Sequence, residues 1–188
     1  MTLARDQLLD LLHSKLQNSN LRRHSYAVEA AMRALARYFK ANEDLWGAVG
    51  LLHDGDYEET KDDMEKHSVL MAQWVADLGE TDQELLAGVK SHGASHLGKT
   101  PQNELEKSLF CCDELTGLIV ATALMTPGKK LAEVDVETVL KKFNKPKFAA
   151  GAKREDIQAC ENLLNIPLHE FVQIVLDGMK TIDKELGL

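Results

Sequence analysis

Residues 51–60 read LLHDGDYEET. Just upstream, Ala48-Val49-Gly50-Leu51-Leu52 is wholly apolar, and at His53-Asp54 the chain turns abruptly to ligand-type side chains, with more acidic residues following. An apolar run of that length after a capping residue predicts a helix over about Asn42–His53. Its end delivers an imidazole and a carboxylate side by side, which suits either a surface cap or the rim of a metal site. The stretch Asp54–Asp63 is too acidic for a core and predicts a loop or short turn.

Outward from this stretch, helical spacing dominates. LARDQLLDLLHSKL places Leu8, Leu11, Leu12 and Leu16 on one face. Asn18-Ser19-Asn20 then interrupts and caps a second helix, LRRHSYAVEAAMRALARYFK. Further helices are predicted over Glu65–Leu78, Asp82–His92 and Asn103–Met125, with breaks at LGETD and GASHLGKTPQN. Beyond Thr126-Pro127-Gly128, helices are predicted over Asp135–Phe143, Lys153–Leu164 and, after Pro167, Leu168–Leu186. Strand-type alternation is scarce, and no G-x-G-x-x-G, P-loop or zinc-finger spacing occurs. The predicted class is all-α, a compact helical bundle. Residues 1–188 are expected to form one domain, with its ligand-type residues in 21–125 and a helical extension over 129–188.

Composition narrows the function. The chain has 188 residues, 44% hydrophobic and 28% charged, with net charge −8. That balance argues against a nucleic-acid or anionic-membrane partner, which would need clustered cations. No apolar run approaches the roughly 20 residues of a membrane span. The first residues, MTLARDQLLDLLHSKL, carry charges inside their apolar pattern, unlike a signal peptide. Three cysteines, two of them adjacent, make a disulfide framework improbable, and a cytoplasmic location is the expectation. Residues 129–154 run against the overall charge at net +5. Lys142, Lys145, Lys147 and Arg154 in that segment are candidates to hold a substrate phosphate. Apolar Phe171, Ile174 and Val175 leave monomer and homodimer both open.

The informative feature is an ordered series, His24, His53, Asp54, His67, His92 and Asp113, with separations of 29, 1, 13, 25 and 21 residues. These spacings are too long for local pairing, so convergence needs tertiary packing. Singly, each has an ordinary reading, for instance a histidine at a helix C-terminus favoured by the dipole. Asp113 is harder to place so, because Leu109, Phe110, Leu115, Leu118 and Ile119 around it imply a buried helix, where an unpaired carboxylate is costly. His13, His96 and His169 stand outside the series.

This series resembles the signature of the HD-domain superfamily of metal-dependent phosphohydrolases. LLHDGDYEET, DELTGLIVA and KKFNKPKFAAGAKREDI are moreover similar to a subgroup of predicted bacterial and archaeal HD hydrolases with an HD-x-D-Y-E motif. The resemblance implies that His24, His53, Asp54 and Asp113 bind one ion, and that His67 and His92 bind a second, with Asp54 shared. Two divalent ions are thus expected, Fe or Mn first, with Co, Zn, Ni or Mg as alternatives. Two ions about 4 Å apart would polarise a phosphoryl oxygen and activate a water, with Asp54 at the centre of the chemistry. For the proton donor, Asp56, Glu58, Lys61 and Lys66 are within reach along the chain, and Glu58 is preferred. The expected substrate is a small phosphorylated metabolite or nucleotide. HDGDYE in place of HDIG, without a G-Y-P triplet, argues against a cyclic dinucleotide. Within the same superfamily, a di-iron oxygenase is the alternative chemistry, and a metal-retaining ligand-sensing module the non-catalytic one.

Overall fold

The chain begins with α1 (Arg5–Lys15), whose Leu8 and Leu12 point inward. The Asn18 side chain then accepts the amides of Asn20 and Leu21, capping α2 (Ser19–Phe39). Asn42 caps α3 (Glu43–Leu52) in the same way. This computed structural model describes all 188 residues.

α2 is the central rod. Its small residues Ala27, Ala30, Ala31 and Ala34 are buried and let α3, α7 and α11 close in around it. At the α2–α3 crossing, a side chain on Gly50 would lie 2.7 Å from the Val28 carbonyl oxygen, so only glycine fits there. That crossing sits three residues before His53 and sets its depth. Each fully buried leucine here, such as Leu51 and Leu52, contributes about 1.5–3 kcal/mol.

After α3 come the single turn α4 (Tyr57–Thr60), α5 (Val69–Asp77), α6 (Gln83–His96) and α7 (Glu104–Ala123). A 3-10 turn at Leu131–Glu133 leads into α8 (Val136–Phe143), α9 (Arg154–Gln158), α10 (Cys160–Leu163), α11 (Leu168–Lys180) and α12 (Asp183–Leu186). There is no strand: the fold is all-α. One continuous buried apolar cluster runs from Leu3 to Leu186, so α8–α12 share a core with the helices before them. Cys111, Cys112 and Cys160 are free, buried thiols within it. No helix is long and apolar enough to cross a membrane.

Helix limits differ from the sequence reading at places that matter. α5 starts at Val69 and not at Glu65, because Ser68 takes a left-handed conformation (φ 63°) that interrupts the helix. α6 does not stop at His92 but continues through Gly93 to His96. The expected helix over Lys153–Leu164 divides into α9 and α10, and that over Leu168–Leu186 into α11 and α12.

Candidate metal centre

Five helical segments bring the series to one place. His24 comes from the second turn of α2, His53 from the end of α3 and Asp54 from the residue after it. His67 lies in the turn before α5, His92 within α6 and Asp113 halfway along α7. The six side chains are buried or half-buried.

Asp54 is the hub, and its two oxygens face different partners. Oδ2 lies 3.8 Å from His24 Nε2 and 3.6 Å from His53 Nε2. Oδ1 lies 3.1 Å from His67 Nε2 and 3.0 Å from His92 Nε2. Asp113 Oδ1 completes the first group at 2.9 Å from His24 Nε2 and 3.5 Å from His53 Nε2. Donors around one ion at bond lengths near 2.1 Å lie about 3–3.5 Å apart. Most of the observed separations, 2.9–3.6 Å, lie at or close to that spacing, so imidazole nitrogens and carboxylate oxygens are disposed to hold a divalent metal.

A second layer aims the rings. His53 donates Nδ1–H to the Gly50 carbonyl at 2.8 Å. His67 donates Nδ1–H to Asp56 Oδ1 at 2.9 Å. His24 Nδ1 lies 3.4 Å from the Thr116 hydroxyl, which itself donates to the Asp113 carbonyl. In each ring the outer nitrogen is occupied and Nε2 turns inward, which fixes tautomer and orientation. Ser68 ties the motif segments together: its hydroxyl donates to the His53 carbonyl and accepts from the Gly93 amide, while its own amide donates to Asp56. A non-glycine residue in left-handed geometry at such a junction costs about 1–3 kcal/mol and persists only where its surroundings over-determine it.

Electrostatics follow from this crowding. Burial opposes charge on His53, but the carboxylates of Asp54 and Asp113 outweigh it and hold the ring up at about 9. Burial likewise works against His67, and Asp54 with Asp56 raises it to about 9. Asp54 and Asp113 would be pushed up by burial, yet the surrounding imidazoles hold both well below the usual carboxylate range.

A family model described as HD domain matches residues 21–118, just over half of the chain. The chain belongs to the HD-domain family. No curated protein and no solved structure matches it. The one His-Asp dipeptide in the matched span is His53-Asp54, and the span holds every residue of the series.

Several expectations need correction. Glu58 does not reach the HD centre: its carboxylate accepts the backbone amides of Gln17 and Asn18, joining α4 to the α1–α2 turn. Asp56 is buried, and its oxygens take the amides of Ser68 and Met71 as well as His67, so it caps α5 and orients a ring. Lys66 pairs with Asp63 at the surface. Arg154 is not a free cation, since its guanidinium donates to the carbonyls of Phe143, Phe148, Ala149 and Ala152 and closes the 144–153 loop on itself. Lys142 lies over the Phe148 ring at 4.6 Å, and Lys145 and Lys147 are exposed on the same loop.

The opening beside the cluster is a small cleft of about 30 Å³, lined by His92, His96, Phe110, Glu114, Lys153 and Asp156 among others. Larger grooves of about 560 Å³ and 700 Å³ lie along Lys90–Lys99 and between α1, α2 and residues 181–185, and neither is lined by a donor of the cluster. Glu114 was not singled out from the sequence, and Lys153 counted there only as part of the basic 129–154 segment. Glu114 follows Asp113 directly, and its carboxyl is pushed up to about 7 by burial and then by the Asp113 charge. Lys153 is exposed at the rim, placed there by the loop that Arg154 closes. His96, set aside in the sequence reading, sits beside His92 with Nε2 atoms 3.2 Å apart.

Proposed function

We propose that this HD-domain protein is a metal-dependent phosphohydrolase that cleaves a phosphomonoester or phosphodiester in a small phosphorylated metabolite or nucleotide. The observation that carries the reading is the division at Asp54, with Oδ2 toward His24 and His53 and Oδ1 toward His67 and His92. Family membership supports the reaction class, because HD-domain proteins are generally metal-dependent phosphohydrolases. Two divalent ions, Fe or Mn foremost, would supply Lewis acidity and a water of lowered pKa.

The chain's own residues do the rest. His24, His53 and Asp113 form one donor set, His67 and His92 the other, and Asp54 is common to both. Asp56, the Gly50 carbonyl and Thr116 keep the Nε2 lone pairs pointed inward. Glu114, lining the cleft, takes the proton-donor role first given to Glu58. Lys153 at the rim faces the substrate phosphate, with Lys142 at the end of α8 and Lys145 and Lys147 exposed on the loop that follows it. If the chain belongs to an HD-x-D-Y-E subgroup, the second aspartate of that motif, Asp56, would be the residue that aims His67. We further assign the full 188 residues to one domain, which the shared core from Leu3 to Leu186 supports. It would work in the cytoplasm as monomer or homodimer, without nucleic acid or membrane.

The test is phosphate release from a panel of nucleotides and phosphomonoesters with Mn²⁺, Fe²⁺, Co²⁺, Zn²⁺, Ni²⁺ or Mg²⁺ supplied. His53→Ala and Asp54→Ala should abolish it while helical circular dichroism is retained. Undiminished turnover in both variants after chelation refutes the reading. Two tightly held irons with dioxygen consumption and no phosphate release would assign oxygenase chemistry instead; substrate binding without product would assign a sensing module.

A further inference from the structure

His96 lies outside the HD series and closes α6 one turn after His92, on the same helix face. Its Nε2 lies 3.2 Å from His92 Nε2, and its ring centroid lies 4.7 Å from that of His92 and 5.7 Å from that of His67. Single ligand atoms of His67, His92 and His96 all fall within 4.8 Å of one another. Hydrogen bonding accounts for the approach only if His92 carries its proton on Nδ1, which lies 3.6 Å from Asp113 Oδ2, too far for a good bond, and accepts from His96 at Nε2. His92 Nε2 already faces Asp54 Oδ1 at 3.0 Å; a proton given to that oxygen leaves the nitrogen nothing with which to accept from His96. Lone pairs converging on a common ion satisfy all four atoms together.

We infer that His96 is a ligand of the second ion position, making it a three-imidazole, one-carboxylate site that selects nitrogen-preferring first-row ions such as Zn²⁺ or Co²⁺ over Mg²⁺. This rests on the two-position reading of the centre proposed above. The two positions then differ in chemistry. The first offers two imidazoles and two carboxylates; the second offers His67, His92, His96 and only Asp54 Oδ1. Hard cations favour oxygen donors and hold their waters, whereas late first-row ions favour imidazole. His67 and His92 are buried but His96 is exposed, so His96 is the donor at the solvent edge of the site.

The packing that allows this is specific. A side chain on Gly93 would collide with the His67 carbonyl, so glycine at this position lets α6 press against the His67 turn while continuing to His96. An ordinary helix-terminal histidine, favoured only by the dipole, needs no such approach and would leave ion binding untouched when removed.

The experiment uses chelator-stripped full-length protein, titrated with Zn²⁺ and separately with Co²⁺. Calorimetry gives the number and affinity of ions, and Co²⁺ absorption gives their coordination. The wild type should take two ions per chain. His96→Ala should weaken one of them by about tenfold or more, leave the other unchanged, and alter the Co²⁺ bands of the weakened ion. His96→Gln, checked for wild-type circular dichroism, should do the same. Wild-type affinities and unchanged Co²⁺ bands in both folded variants overturn the inference. A wild type that binds one ion only overturns the two-position reading, and this inference with it; a wild type that binds none refutes the metal centre itself.

Discussion

Asp56 Oδ1 accepts Nδ1–H of His67 at 2.9 Å, and that bond turns the ring's other nitrogen to within 3.1 Å of Asp54. The same carboxylate takes the amides of Ser68 and Met71. One buried side chain therefore starts a helix and aims a ligand. Asp56→Ala should cost about 3 kcal/mol in urea unfolding, because two buried amides and a ring N–H lose their acceptor. It should also weaken ion binding about 10–100-fold by calorimetry. Stability and ion affinity both unchanged would remove Asp56 from the centre.

Glu58 behaves differently. Its contacts are the partly exposed amides of Gln17 and Asn18, so Glu58→Gln should lower stability by about 1 kcal/mol or less. Phosphate release should stay within twofold of the wild type. A hundredfold loss of turnover in this variant would restore Glu58 as the proton donor and displace Glu114.

Gly93→Ala tests the α6 contact. The added methyl meets the His67 carbonyl, a backbone atom that cannot swing away. A destabilisation of about 3 kcal/mol is expected from overpacking, measured by thermal or urea unfolding. A wild-type melting temperature would mean that α6 stands farther from the His67 turn than described.

The pH response of the ion-free protein has a definite direction. His53 and His67 are raised to about 9, above the unfolded value near 6.5. Their contribution to stability is fully present below about pH 6.5 and disappears as pH rises through about 9. Asp54 and Asp113 are depressed, so their contribution is present above about pH 4 and is lost on further acidification. Chelated protein should thus lose melting temperature from about pH 7 to pH 9.5. Ion affinity should rise over the same window, because ligation requires deprotonated rings. Melting curves with EDTA and with Zn²⁺ across that range check both trends, and a flat chelated profile would exclude the imidazolium–carboxylate pairs.

Much was legible in the chain itself. Caps such as Asn18, Asn42, Asp82 and Asn103 announce helix starts locally, since their side chains bind amides two or three residues on. Leucine spacing gives the all-α class for the same local reason. The six residues of the HD series could be named from type and order, and the structure brings those six together. Glu58 and Arg154 were misplaced because charge in a sequence does not tell which backbone groups will capture it. Asp56 read as a proton-donor candidate within an acidic run, yet it is buried and bound by the His67 ring eleven residues on and by amides twelve and fifteen residues on.

His96 marks the boundary most clearly. From the sequence, Gly93 after His92 reads as a stop, because glycine weakens helices and commonly ends them. Only the packing of α6 against the His67 turn makes a residue without a side chain necessary there, and the helix then runs one turn further. Helix class, caps and the donor series follow from interactions spanning a few residues, which the sequence by itself determines. Whether Asp54 faces two donor sets, and whether His96 joins one of them, is decided by ångström-scale approach between helices distant in the chain.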